Sequence, residues 1–152
     1  MNYMITPLIS CGPLEWGMTS DEVTKIIGPP ERTRRNNLKD TVQVRYGGSA
    51  SFIFDGISGG LVEVTGSKSP TEFQIGSIKL ISGENQETVK QLLALDRRAF
   101  EGYGSLVFPD LGIMLTGYSP EDNDIRAAGV FAPGRCDDIL DSMKPFRALK
   151  QN

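Results

Sequence analysis

Hydrophobic positions change period several times along this chain, and each change marks an element. Val23, Ile26 and Ile27 stand at i, i+3 and i+4, one apolar stripe of a short helix over about residues 20–27. Thr19 and Glu22 ahead of it form a T-x-x-E capping box, and Gly28 followed by Pro29-Pro30 ends it. From residue 41 the period becomes two. TVQVRY (41–46), SASFIF (49–54) and LVEVT (61–65) alternate and are rich in β-branched and aromatic residues. Gly47-Gly48 and DGISGG (55–60) supply turns between them, so a helix followed by an antiparallel meander is predicted.

The pattern then restarts. IGSIKLISGENQETVKQLL (75–93) follows the design of CGPLEWGMTSDEVTKIIG (11–28): Gly76 answers Gly12, Ile78 answers Leu14, and Val89, Leu92 and Leu93 answer Val23, Ile26 and Ile27. The offset grows from 64 to 66 residues, which places an insertion around Ser82-Gly83-Glu84. Strand-like segments follow again at 105–108, 111–117 and 125–131, with Gly112 echoing Gly48. A third helix is predicted at CDDILDSM (136–143), with Ile139, Leu140 and Met143 on one face and Pro145 as its stop. Same-order elements at a nearly fixed spacing are the mark of an internal repeat. The expected fold is α+β, with two similar halves, each a short helix packed on an antiparallel meander sheet. Residues 1–70 make the first half and 71–152 the second, which adds the C-terminal helix, within a single compact unit.

Composition narrows the chemistry. Of 152 residues, 39% are hydrophobic and 23% charged, which is ordinary for a globular chain that buries a core. Histidine is absent. That removes Ser-His-Asp and Cys-His catalysis and histidine-based zinc sites. Two distant cysteines, Cys11 and Cys136, make neither a disulfide framework nor a Cys₄ site, and free thiols in a reducing cytoplasm are expected. No nucleotide-binding glycine motif occurs, Asp55 and Asp110 read as turn formers, and no cofactor or metal is expected. A formal charge of −3 argues against nucleic-acid binding. The one basic cluster, Arg32, Arg34, Arg35 and Lys39, reads as a solvated linker.

Leu8-Ile9-Ser10-Cys11 has the outline of a lipobox. The preceding residues, however, carry no Lys or Arg, their apolar run is broken by Thr6 and Pro7, and patterned sequence follows at once. The N-terminus therefore reads as a short strand or arm of an unprocessed cytoplasmic protein, and no run of apolar residues suits a membrane span. Trp16, at a strand-to-helix turn, reads as core. Two acidic runs remain as candidate surfaces. Tyr118, Glu121, Asp122 and Asp124 lie on a predicted loop, and Asp137, Asp138 and Asp141 lie on the third helix. An aromatic beside carboxylates suits a basic protein partner, the ring supplying contact area and the charges steering.

Gly17, Met18, Thr19, Glu22, Val23, Ile27, Gly28 and Pro30 carry a resemblance. The segment resembles the opening of the small α-plus-β units of the BamE/SmpA and β-lactamase-inhibitor-protein (BLIP-like) class. Those units have a short strand, a Gly-Met-[Ser/Thr] turn, a helix with Glu-Val, and a Leu/Ile-Gly-x-Pro ending. The second copy has Ser82-Gly83 in place of the Gly-Met turn, so the match there is looser. Two such units in tandem look like cytosolic immunity proteins of bacterial polymorphic toxin systems. The resemblance implies a non-enzymatic inhibitor that binds and neutralises a cognate toxin, a nuclease or another basic toxin domain. The alternative it implies is a BamE-type envelope assembly factor anchored through Cys11. An enzyme working through carboxylates or lysine has no motif to support it.

Overall fold

In the computed structural model, residues 1–118 and 126–146 are described. The first part of the chain runs β1 (Asn2–Thr6), β2 (Ser10–Cys11), β3 (Leu14–Glu15), α1 (Ser20–Ile27), β4 (Arg32–Arg35), β5 (Thr41–Arg45), β6 (Ala50–Phe54) and β7 (Leu61–Gly66). It continues through β8 (Glu72–Ile75), β9 (Ile78–Lys79), α2 (Asn85–Leu95), β10 (Phe100–Gly102), β11 (Ser105–Phe108), β12 (Ile113–Thr116), β13 (Ala127–Phe131), α3 (Asp137–Leu140) and β14 (Lys144–Pro145). The fold is α+β. A nine-stranded sheet has the order β14-β10-β11-β12-β13-β7-β6-β5-β4, and a five-stranded sheet has the order β3-β2-β1-β8-β9. Among the described residues no helix is long and apolar enough to cross a membrane.

Two antiparallel meanders, β4 to β7 and β10 to β13, become one sheet where their last strands pair. Val64 faces Val130 at that seam, and from it a buried row runs outward through Phe52 to Gln43 on one side and through Ile113 to Phe108 on the other. The neighbouring row has small residues at its centre, Ala50, Gly66 and Ala128 in register. Their smallness makes a seat. A Cβ on Gly66 would lie 2.8 Å from both the Phe73 ring and the Thr71 methyl, so β8 rests directly on the large sheet there. Tyr3 on β1 joins the same contact, its ring centroid 6.2 Å from those of Phe52 and Phe73. One apolar core thus holds the small sheet and the two longer helices against one face of the large sheet.

The order of hairpin, helix and four-stranded meander occurs first as β2, β3, α1, β4–β7 and again as β8, β9, α2, β10–β13. Both hairpins turn on a glycine in the left-handed region, Gly12 at φ +60° and Gly76 at φ +57°. β1 lies between the two hairpins, antiparallel to β2 and parallel to β8. It has no counterpart in the second half. Neither do α3 and β14 in the first.

Several expectations are corrected. The capping box of α1 is present, with Thr19 and Glu22 exchanging both bonds. Its inward stripe, however, is Ser20, Val23, Thr24 and Ile27, while Ile26 is 45% exposed. The sheet beneath offers polar partners, which turns the helix. Gln43 Nε2 donates to Ser20 Oγ at 2.8 Å, and the Arg45 guanidinium reaches Thr24 Oγ1 and the Gly28 carbonyl. Arg45 is buried, lies over the Phe52 ring, and neutralises the negative C-terminal end of α1. In α2 the matching position Leu92 is fully buried. The Arg-rich linker is in fact strand β4, paired with β5 from Arg32↔Val44 to Arg35↔Thr41. The third helix is shorter than predicted, a single turn, because the chain leaves it to form β14 beside β10.

Cys11 is wholly buried, on a strand paired with β1 on one side and β3 on the other. Cleavage before Cys11 would remove β1 from the middle of the small sheet.

Truncating Leu92 to Ala should cost about 2–5 kcal/mol, whereas half-exposed Ile26→Ala should cost well under about 1 kcal/mol. Chemical-denaturation midpoints of the two variants check this, and equal losses would overturn the reading of α1.

Candidate functional site

The C-terminal turn is where the sequence-predicted residues come together on the surface. After β13 the chain reverses through Ala132–Arg135, and Cys136 starts α3. Cys136 packs with Val107 and Phe131, and Met114, Ile139, Leu140 and Met143 close around them, so this small second core lies on the opposite face of the large sheet. With Ile139 and Leu140 turned in, Asp137, Asp138 and Asp141 are turned out, and all three are exposed.

A partly buried ion network fixes the base of this turn. Arg135 Nη2 donates to Asp40 Oδ2 at 3.0 Å, and its Nε donates to Glu63 Oε1 at 3.2 Å. Asp40 also accepts from the Gly56 amide at 2.9 Å. One guanidinium therefore joins the β4–β5 turn, β7 and the approach to α3. Burial pushes the Glu63 carboxyl above its ordinary range, against the pull of Arg135. Burial likewise raises both thiols, Cys136 to about 12 and Cys11 well above its ordinary value, so neither is a nucleophile at neutral pH.

Beside α3, buried Asp96 accepts the amides of Arg98 and Asp110, each at 2.9 Å, and ties the end of α2 to the β11–β12 turn. Above it Arg98 meets Asp110 at 3.0 Å, in a pair more than half exposed and so worth little to stability. The Asp110 hydrogen bond, joined by the charges of Asp110, Asp96 and Asp137, holds the Arg98 guanidinium above its usual range. Asp110 and Asp137 of α3 thus belong to one charged surface around Arg98. The sequence reading took Asp110 only for a turn former. Its membership depends on a sheet register that local pattern does not carry.

Tyr118 is corrected from a surface anchor to a core residue. It is 3% exposed, and its hydroxyl donates to the Leu80 carbonyl. The Arg126 guanidinium lies 4.6 Å from its ring centroid and donates to the carbonyls of Leu80, Ile81 and Gly83. The strand alternation that buries Ile113 and Leu115 would have pointed Tyr118 outward. Gly117 intervenes in the left-handed region at φ +76° and resets the parity. Glu121, Asp122 and Asp124 lie outside the described residues.

A cavity of about 630 Å³ opens nearby, with Lys68, Lys79, Glu72, Ser82 and Arg126 on its walls. Most of that polarity is spent internally. The Glu72 carboxylate accepts the Ile81 and Ser82 amides and the Ser82 hydroxyl, and Arg126 is occupied as above. Among the described residues no cluster of three or more Asp, Glu or Cys is placed to hold a metal ion.

The fold favours the protonated form of Glu63. That contribution is complete below its ordinary value of 4.5 and is lost as pH rises through the raised native value. Glu63→Gln, which keeps an acceptor for Arg135, should therefore gain stability relative to the parent chain as pH rises through that range. Denaturation midpoints at a series of pH values measure the gap, and a gap constant with pH would show that Glu63 is not shifted.

Compared with known proteins, the chain matches no family model, no curated protein and no solved structure.

Proposed function

We propose that this chain is a non-enzymatic protein inhibitor, an immunity protein that binds and neutralises a cognate toxin domain with a basic surface. The observation that carries the reading is the mounting of Asp137, Asp138 and Asp141. Three exposed carboxylates sit on one turn, held from below by an apolar cluster and an Arg135 network. Fixed charges of one sign steer a basic partner and lose little entropy on docking. The sequence-predicted run Glu121, Asp122 and Asp124 is proposed as a further acidic contact. The segment that carries them is bracketed by Tyr118 and Arg126, both held on the same β9–α2 connection. The recurrence of hairpin, helix and meander supports the tandem-unit resemblance from which the immunity reading comes. On this reading the protein works in the cytoplasm, needs no cofactor, and binds neither nucleic acid nor membrane.

The test uses the toxin encoded beside it. The purified chain should form a one-to-one complex with that toxin and abolish its activity. Replacing Asp137, Asp138 and Asp141 by Asn should slow association about tenfold at low salt and flatten its salt dependence. The same replacements should leave stability within about 0.5 kcal/mol of the parent, because the side chains are exposed. Surface-plasmon kinetics at two salt concentrations give the answer. Parent-like kinetics in the variant would move the interface away from α3, and absence of any complex would overturn the inhibitor reading.

A further inference from the structure

The two ends of the nine-stranded sheet are unlike. At one end β14 is two residues long and includes Pro145, which has no N–H to offer. The outer strands of the small sheet, β3 and β9, are also two residues each. At the remaining edge stands β4, four residues long, with every residue exposed. Among the described residues it is the one sheet edge long enough to template another strand.

The backbone of β4 faces out at known positions. The Asn36 amide donates to the Asp40 carbonyl at 3.0 Å. The two-residue alternation of an antiparallel ladder then turns Arg34 and Arg32 toward β5 and leaves the N–H and C=O of Thr33 and Arg35 pointing away from the sheet. The strand is held in place from both sides. Glu31 accepts the Gly47 amide at 2.7 Å, and Asn36 Oδ1 accepts the amides of Leu38 and Asp40. Next to the strand, the Asp40–Gly56 bond brings two loop tips together, and each displays an apolar side chain, Leu38 at 73% and Ile57 at 99% exposure.

We infer that β4 is a docking edge for an acidic, extended segment of a partner protein, which adds as a tenth strand and places an apolar residue against Leu38 and Ile57. Charge chooses the occupant. Arg32, Arg34 and Arg35 stand within four residues, and Lys39 follows on the turn. A second copy of this chain would set arginines against arginines, which destabilises cross-strand pairs, whereas carboxylates at alternate positions of the incoming strand share one face and meet Arg32 and Arg34 there. Backbone bonds then supply affinity, and the arginines supply selectivity and steering. Arginine on an edge also discourages self-pairing, so the same residues keep the edge free until an acidic strand arrives. This inference goes beyond the inhibitor reading, since the surface is a strand edge and carries the opposite charge to the α3 carboxylates.

The probe is a dye-labelled, acetylated peptide alternating Glu with Val and Thr, followed by fluorescence anisotropy at low and high salt. Thr33→Pro removes one outward N–H and no bond to β5, and it should weaken binding about tenfold or more. Thr33→Val, which keeps the N–H, should bind like the parent. Arg32→Gln, Arg34→Gln and Arg35→Gln together should abolish the salt dependence. A peptide N-methylated on alternate amides tests the same bonds without altering the protein, and it should fail to bind in the one methylation phase that faces β4. Parent-like binding by Thr33→Pro together with equal affinity of both methylated peptides would overturn strand addition. A single-stranded oligonucleotide that binds more tightly than the peptide and ignores Thr33→Pro would replace it with a nucleic-acid surface. The Asp137, Asp138 and Asp141 variant should bind the peptide normally, so failure here and failure of the inhibitor reading are told apart.

Discussion

Everything else in the molecule is placed by the pairing of β7 with β13. Taken alone, each meander is a curved sheet with one apolar face and an open edge. Joined with Val64 opposite Val130, they present one buried row from Gln43 to Phe108 and, beside it, the small-residue row at Ala50, Gly66 and Ala128. The first row is the floor of the core. The second is the hollow that receives Phe73 and fixes how close the small sheet can come. A register slip of one residue at the seam would turn both rows to the other face, so this pairing specifies the core as well as the sheet.

Local pattern recovered what local physics determines. The capping box, the period-two strands from residue 41, the helix containing Val89 and Leu92, and the helix–meander order could all be read from neighbouring residues. The α1 stripe could not, because its rotation depends on Gln43 and Arg45, which come from a strand that follows it. The β4 strand was hidden because three arginines in four residues carry no apolar period, and only pairing with Val42 and Val44 makes them a strand. Tyr118 was misplaced by one glycine. The acidic surface was legible in Asp137, Asp138 and Asp141 but not in Asp110, which reaches it through sheet register and the buried Asp96.

Charge is distributed along the sheet rather than spread evenly over it. The formal balance of −3 conceals a basic edge at β4 and an acidic turn at α3. Between them Arg135 bonds to Asp40 and Glu63, so these charges satisfy one another within the fold. Composition therefore says little about what each surface prefers. Position within the fold says more, since the two signs are displayed on different elements.

β1 closes the account of the small sheet in the dimension of time. Its parallel partner β8 enters the chain only after both β2 and the whole first meander, as the pairing of Tyr3 with Phe73 records. Closing so wide a loop costs entropy that grows only slowly with length, but a chain must meet that cost before the contacts return it. The meanders, whose strands are sequence neighbours, have no such wait. β1, although made long before β8, is thus among the last to complete its pairing. Until then the hollow at Gly66 stands open, and the thiol of Cys11 has not yet been covered.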